Sequence, residues 1–399
     1  MEDASPQRKR PSPWQDAPME ILGVVLHRAN SLPDTARAAA VCRAWRRAVA
    51  HQHPPLPPQL PWLLLLPGLK LCSLSSDGTT AAAHLLSRRD GAVPACVGST
   101  RDGHVILLKD QGCFLLNPLS GATNPLPDLC LSGAHKWLTL PGGFSSLSSN
   151  PSPDSHPLPP RKVVASGSSA TCILAGISDH DDHHGTLFLC RPGDDATWSV
   201  TAVHPLWATQ SDIAFHDGKL YLFKKEIYPY LLALDIGEED DDGAGAALKF
   251  TVAKPLLAPR SVLQPEPAHG GAFWFYLMES RGRLLLVRRE FLFTERRTRA
   301  VAVFALDEST SRHDEVFLTA TSAVSVPASR HPGALGDRVY FSQEVYVDGC
   351  PRRKGCPHQH CEVFDMRTRT VEVLCMGTAA TGHGATWFVP SPQTHANVN

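Results

Sequence analysis

Two apolar stripes of helical spacing lie between Trp14 and Val49, and short apolar runs of strand length fill the chain from there to about Pro390. In the first stripe Ile21, Leu22, Val25 and Leu26 fall at i, i+1, i+4 and i+5, one side of a helix. Asp16 can cap that helix, and Pro18 falls in its first turn, where a missing N–H costs nothing. Asn30–Pro33 interrupts the pattern, and Asp34 can cap a second run. There Ala38, Val41, Cys42, Trp45 and Val49 recur at i, i+3, i+4, i+7 and i+11, with Arg43, Arg46 and Arg47 on the other side. A unit this short buries too little surface to satisfy both stripes alone. It needs a partner, either the rest of the chain or another protein.

His53 to Pro61 is proline-rich and reads as a stiff, extended spacer. Beyond it one theme recurs: a glycine turn, an apolar strand, an interruption, then a strand that closes on Asn or Asp. Gly103–Leu108 is followed by Cys113–Asn117, Asp217–Phe223 by Leu231–Asp235, and Arg281–Val287 by Val301–Asp307. Gly336–Phe341 is followed by Glu362–Asp365 and then Thr370–Leu374; Gly185–Cys190 with Trp198–Val203 is a weaker copy. The glycines at 185, 218, 282 and 336 stand 33, 64 and 54 apart, so the theme recurs without a fixed period. Each copy is a meander with one face to bury, and a lone meander of this kind is not stable in water. Stacked around an axis such meanders make a β-propeller with blades of roughly 40–50 residues. The fold expected is a small all-α unit followed by an all-β propeller of six or seven blades, with long insertions at 148–161, 237–246 and 348–360. A β-sandwich is the structural alternative. A ring must close by pairing its first and last strands, and Leu63–Leu66 with Thr386–Val389 are the candidates.

Two resemblances add function. Trp14-x-x-Ala-Pro18-x-Glu-Ile-Leu22 followed by Ala-Ala-Val-Cys-Arg-Ala-Trp45-Arg resembles the F-box, which docks on the Skp-type adaptor of cullin ubiquitin ligases. The motif usually opens with Leu-Pro, and here the Leu is Ala17, a change worth about 2 kcal/mol at a buried contact. The stretches Cys96–Gly103, Cys113–Ala122 and Trp387–Pro390 resemble plant F-box proteins with a KIB-type β-propeller. The resemblance implies an adaptor-binding set of Pro18, Ile21, Leu22, Val25, Leu26, Val41, Cys42 and Trp45. It also implies a domain plan: a disordered lead (1–13), the F-box-like unit (14–50), a linker (51–60), the propeller (61–390) and a disordered tail (391–399).

Composition narrows the partners. Over 399 residues the net charge is −1 and 19% of residues are charged, so no overall field points to nucleic acid. No run reaches the ~18 apolar residues of a membrane span. The eleven cysteines are scattered and odd in number, which reads as reduced thiols in the cytosol or nucleus. Arg8-Lys9-Arg10 is a short basic cluster, read as solvated rather than as a nuclear address.

Candidate chemistry is sparse. Cys350, Cys356, His358, His360 and Cys361 are zinc-type ligands, but they crowd into 12 residues where structural sites split into separated pairs. They read as a hairpin loop without metal, as does His180-Asp-Asp-His-His184. Glu238–Asp242 reads as a disordered acidic loop, and Arg288, Arg289, Arg296, Arg297 and Arg299 as a solvated basic edge. No GxSxG, P-loop, HExxH or strand-borne GxGxxG is present. The expectation is a non-catalytic, cofactor-free substrate receptor of an SCF-type ligase, binding the adaptor, through it a cullin, and a target the sequence does not name. The alternative is a metabolite-binding or enzymatic propeller with a degenerate helical cap.

Overall fold

Runs of four to six apolar residues bounded by turn residues make buried strands, and among the described residues strands far outnumber helices. A computed structural model describes Trp14, 17–29, Thr35, Ala38, 41–50, 60–66, 70–74, 80–84, 94–109, 112–119, 121–129, 136–139, 159–167, 172–178, 185–193 and 198–204. Further on it describes 211–225, 229–239, 247–257, 260–264, 266–295, 297–306, 314–318, 322–331, 334–342, 358–378 and 385–390. The lead at 1–13, the spacer at 51–59, the tail at 391–399, His180–His184, Cys350 and Cys356 all lie outside the described residues, as do Asp16 and Asn30–Asp34.

Two helices come first, α1 (Met19–Ala29) and α2 (Arg43–Ala50). The strands begin with β1 (Trp62–Leu65), β2 (Lys70–Leu74) and β3 (Thr80–His84), then β4 (Ala95–Ser99), β5 (Val105–Lys109), β6 (Gly112–Leu116) and β7 (Thr123–Pro125). Next are β8 (Lys136–Thr139), β9 (Lys162–Ala165), β10 (Leu174–Ser178), β11 (Gly185–Cys190) and β12 (Ser199–His204). They are followed by β13 (Ser211–His216), β14 (Lys219–Lys224), β15 (Tyr230–Glu239), β16 (Ala247–Leu257), β17 (Gly271–Ser280), β18 (Arg283–Leu292) and β19 (Arg297–Ala305). The last are β20 (Asp314–Leu318), β21 (Ala323–Pro327), β22 (Arg338–Ser342), β23 (His358–Asp365), β24 (Thr370–Thr378) and β25 (Ala385–Phe388).

Hydrogen bonding groups them as β25-β1-β2-β3, β7-β6-β5-β4-β9-β10-β11-β12-β8, β13-β14-β15-β16, β17-β18-β19 and β21-β20-β22-β23-β24. The nine-stranded sheet is two groups joined through one parallel bridge, Gly98 to Val163. A Cβ on Gly98 would stand 2.1 Å from the Val163 carbonyl oxygen, so only glycine lets the two backbones meet.

The leading strands of successive groups touch in a closed circuit: β25 with β4, β4 with β9, β9 with β13, β13 with β17, β17 with β21, and β21 with β25. The core is divided accordingly. Trp62, Leu64 and Leu66 pack with Val105, Leu107 and Leu116, while Leu63, Leu65 and Trp387 on the opposite face pack with Val326, Tyr340 and Val363. One short strand thus serves two cores, which explains why its sequence is apolar throughout and does not alternate. β10 and β11 are buried along their whole length for the same reason.

The expected hairpins are present: β5 pairs with β6, β11 with β12, β14 with β15, β18 with β19, and β22 with β23 and β23 with β24. So is the closing pair, with Trp62 opposite Phe388 and Leu65 opposite Ala385. Asp217-Gly218 and Arg281-Gly282 each have two positive φ angles, 46° and 74°, 52° and 73°, the two-residue turn whose twist suits a hairpin. Gly185 departs from the theme, since it opens β11 and is not a left-handed turn residue. The insertion expected at 237–246 is shorter than read. β15 runs to Glu239 and β16 resumes at Ala247, so Glu238 and Glu239 are ladder residues opposite Leu248 and Ala247.

Candidate functional site

The helical unit has a core of its own. Leu22, Leu26, Ala38 and Ala48 are buried together, with Ala17, Trp45 and Val49 packed against them, and no strand residue belongs to this cluster. The carbonyl of Pro18 accepts from Ile21 N and Leu22 N, both at 3.1 Å, so Pro18 sits just before the helix and supplies its first bonds. Trp45 is half-buried; its Nε1 donates to the Trp14 carbonyl at 3.1 Å and the two rings lie 6.5 Å apart.

The apolar residues of α1 therefore split into two faces rather than the single stripe expected. Leu22 and Leu26 point inward and are 0% exposed, which makes them core residues of the unit. Ile21 is 50% exposed, Val24 55% and, across the unit, Val41 61%. Pro18 and Met19 are exposed too, and Val25 and Cys42 are partly exposed. Ile21, Val24, Val25 and Arg28 follow at i, i+3, i+4 and i+7, a second stripe that nothing in the described chain covers. Met19 and Val24 were missed as surface candidates. Their signal was visible: Val24 stands three residues after Ile21.

A second candidate lies where the leading strands converge, a cavity of about 100 Å³ lined among others by Ser99, Arg101, Lys162, Glu279 and Ser322. Lys162 and Asp212 are buried beside it. Lys162 Nζ donates to both carboxylate oxygens, at 2.7 and 2.8 Å, and the same oxygens accept from Ile213 N at 2.9 Å and Leu277 N at 2.7 Å. One carboxylate thus ties β9, β13 and β17 together. Burial lowers the lysine's pKa, and the charge of Asp212 works against that shift. At the mouth Arg101 pairs with Glu279, whose other oxygen accepts from Gly282 N at 2.7 Å.

The basic cluster is a solvated edge only in part. Arg289 is buried; it donates to Glu362 at 2.6 Å and to Thr298 at 2.7 Å, and stacks 4.5 Å from the Phe341 ring. Arg299 pairs with Glu290, Arg297 with Glu295, and Arg288 lies 4.4 Å over Phe273 while donating to the Val262 and Gln264 carbonyls. Arg296 lies outside the described residues. Arg289 joins two sheets, because a buried guanidinium must find acceptors, whereas Arg297 and Arg299 are 60% and 53% exposed and pair within their own hairpin.

Among the described residues no group of three or more metal-type ligands comes together. Cys361 belongs to the core between the first and last sheets rather than to a loop, and burial pushes its thiol far up. Burial also pushes the Cys113 thiol up to about 12. Both sulfurs are poor nucleophiles and poor ligands in that state. No helix among the described residues is long and apolar enough to cross a membrane.

Residues 71–365 match the KIB1-4 beta-propeller family. The chain belongs to that family. The match begins in β2 of the KIB1-4 propeller and ends on the last residue of β23, so it spans five of the six strands of the circuit but neither helix nor the closing strand β25. No curated protein matches it in sequence. Among solved structures it is similar to TolB from Acinetobacter baumannii, at 10% identity and a TM-score of 0.36, over 82% of this chain and 66% of that one. It is also similar to a bifunctional GH43-CE protein of Bacteroides eggerthii, at 11% identity and a TM-score of 0.30, over 68% of this chain and only 32% of that one. An exo-1,5-alpha-L-arabinanase from a bovine ruminal metagenomic library matches at 11% identity and a TM-score of 0.30, over 75% and 98%. Likenesses this distant carry nothing about chemistry.

Proposed function

We propose that this KIB1-4 propeller is the substrate receptor of an SCF-type ubiquitin ligase in the cytosol or nucleus. The F-box-like unit at 14–50 docks on a Skp-type adaptor and through it a cullin. A linker at 51–60 leads to the propeller at 61–390, which holds the target protein. Six blades are supported by the six leading strands that meet in one circuit. The mechanism is proximity: tethering raises the effective concentration of target lysines near a conjugating enzyme carried by other subunits.

The observation that carries this reading is the second apolar face of α1. A helix whose core face is already satisfied by Leu22 and Leu26 has no internal use for exposed Ile21 and Val24. Contiguous exposed apolar side chains of this kind mark a partner site. The non-catalytic part is supported by the axial cavity. Its charges are spent on each other, and about 100 Å³ is well below the ~300–1,000 Å³ of small-molecule sites.

The test is adaptor capture by Ile21→Asp combined with Val24→Asp, alongside the chain shortened to 59–399. Both should lose the adaptor, and both should keep the β circular dichroism and melting of the full chain. Capture at the wild-type level by either would show that the helical face is not the docking surface.

A further inference from the structure

Among the described residues β17-β18-β19 is the only three-stranded sheet, and β19 is its outer edge. Ala300-Val301-Ala302-Val303-Phe304-Ala305 carries no charge, proline or glycine. None of these residues is buried, and Val303 is 37% exposed. β18 takes one side of this backbone, in one register from Leu285 opposite Ala305 to Glu290 opposite Ala300, after which a bulge at Arg299 shifts it by one. Folded proteins blunt free edges with charge, proline or a bulge. The edge strand β7 ends on Pro125 and the edge strand β24 carries Glu372, but β19 has its charges and its bulge only at its start, which leaves Ala300–Ala305 with neither. There Arg297 and Arg299 are already held by Glu295 and Glu290.

We propose that this edge pairs with the same edge of a second copy of the chain, joining two sheets into one across a two-fold axis. The inference stands apart from the receptor reading. A two-fold that relates antiparallel edges runs perpendicular to the joint sheet, so residues that face each other come from the same face and the axis falls on a residue. Centred on Ala302, the pairing sets Val301 opposite Val303 and Ala300 opposite Phe304, each twice. Cross-strand pairs of β-branched and aromatic residues are the stabilising unit of a sheet. Arg297 and Arg299 lie before this stretch and face the far end of the partner's strand, so no arginine meets an arginine. A parallel pairing in register would set like charge on like charge at both arginines. A foreign charged segment is the poorer fit, because both arginines at this edge already have carboxylate partners. A contact of one strand per copy is small, so the dimer is weak and depends on concentration.

Sedimentation velocity of the full chain over rising concentration tests this, and the sedimentation coefficient should climb from the monomer to the dimer value. Ala302→Lys and Ala302→Glu each set like charges face to face at the axis. Each variant alone should stay monomeric where the wild type is dimeric, and an equal mixture of the two should restore the dimer. Amide exchange at 300–305 in the wild type should slow as concentration rises, a reading that needs no variant to fold. A wild type that stays monomeric with unchanged exchange overturns the proposal. So do variants that dimerise like the wild type, or folded variants that stay apart when mixed.

Discussion

A single carboxylate, Asp212, receives an ammonium and two backbone N–H groups from three different strands. Removing it strands the Lys162 charge in a site that is 1% exposed, and breaking a buried pair in this way costs about 3–5 kcal/mol. Asp212→Ala should therefore lower the urea midpoint sharply, whereas Lys162→Met with Asp212→Leu should recover most of the loss. Equal destabilisation by the single and double variants would show that the pair is not a unit. Such residues were illegible in the sequence. Arg161-Lys162 looks like a surface dipeptide, and its partners lie about 50 residues downstream. Arg289 and Glu362 are separated by 73 residues, and no local pattern announces that they meet. Charge type was visible; burial, which decides what a charge does, was set by tertiary packing. The adaptor-face residues were half legible. Helical spacing put Ile21 and Leu22 on one stripe, but the wheel alone cannot say which edge of a wide stripe the core takes.

At the scale of elements the sequence was far more informative, because apolar runs between turn residues signal strands directly. The hairpins β5-β6, β11-β12, β14-β15, β18-β19 and β22-β23-β24 and the closing pair β1-β25 were read from such runs. What was missed has a physical reason too. The β4-β9 bridge is a parallel contact of one residue pair, and β15 continues into an acidic run because the ladder is made by backbone groups whatever the side chain. Closure concentrates on Trp387, which is 0% exposed between Leu63, Leu65 and Tyr340. Trp387→Ala should cost about 3–5 kcal/mol, measured by chemical denaturation. A chain ended at Gly377 loses β25 altogether and bares the edge of β1, so light scattering should report aggregation. If that chain were as stable and monodisperse as the full one, closure by β25 would be dispensable.

For the molecule as a whole, division into an α part and a β part was plain from the switch of period, and the family match over 71–365 fits that division. The order of strands within the last sheet, β21-β20-β22-β23-β24 with a parallel step between β20 and β22, was not, because apolar runs say nothing about which neighbour they choose. The closing pair has a further, mechanical side. Trp62 begins β1 and Phe388 ends β25, and the two sit opposite each other at the same end of the pair. Tension drawn between these two points loads the hydrogen bonds in turn, like a zip, rather than all at once in shear. A pulling trace anchored there should show β25 peeling first at low force, followed by resistance from the longer ladders of β15-β16 and β17-β18. An initial rupture at the highest force of the trace would contradict this. A machine that threads the polypeptide from its C-terminal side would meet the weakest direction of the ring before any other.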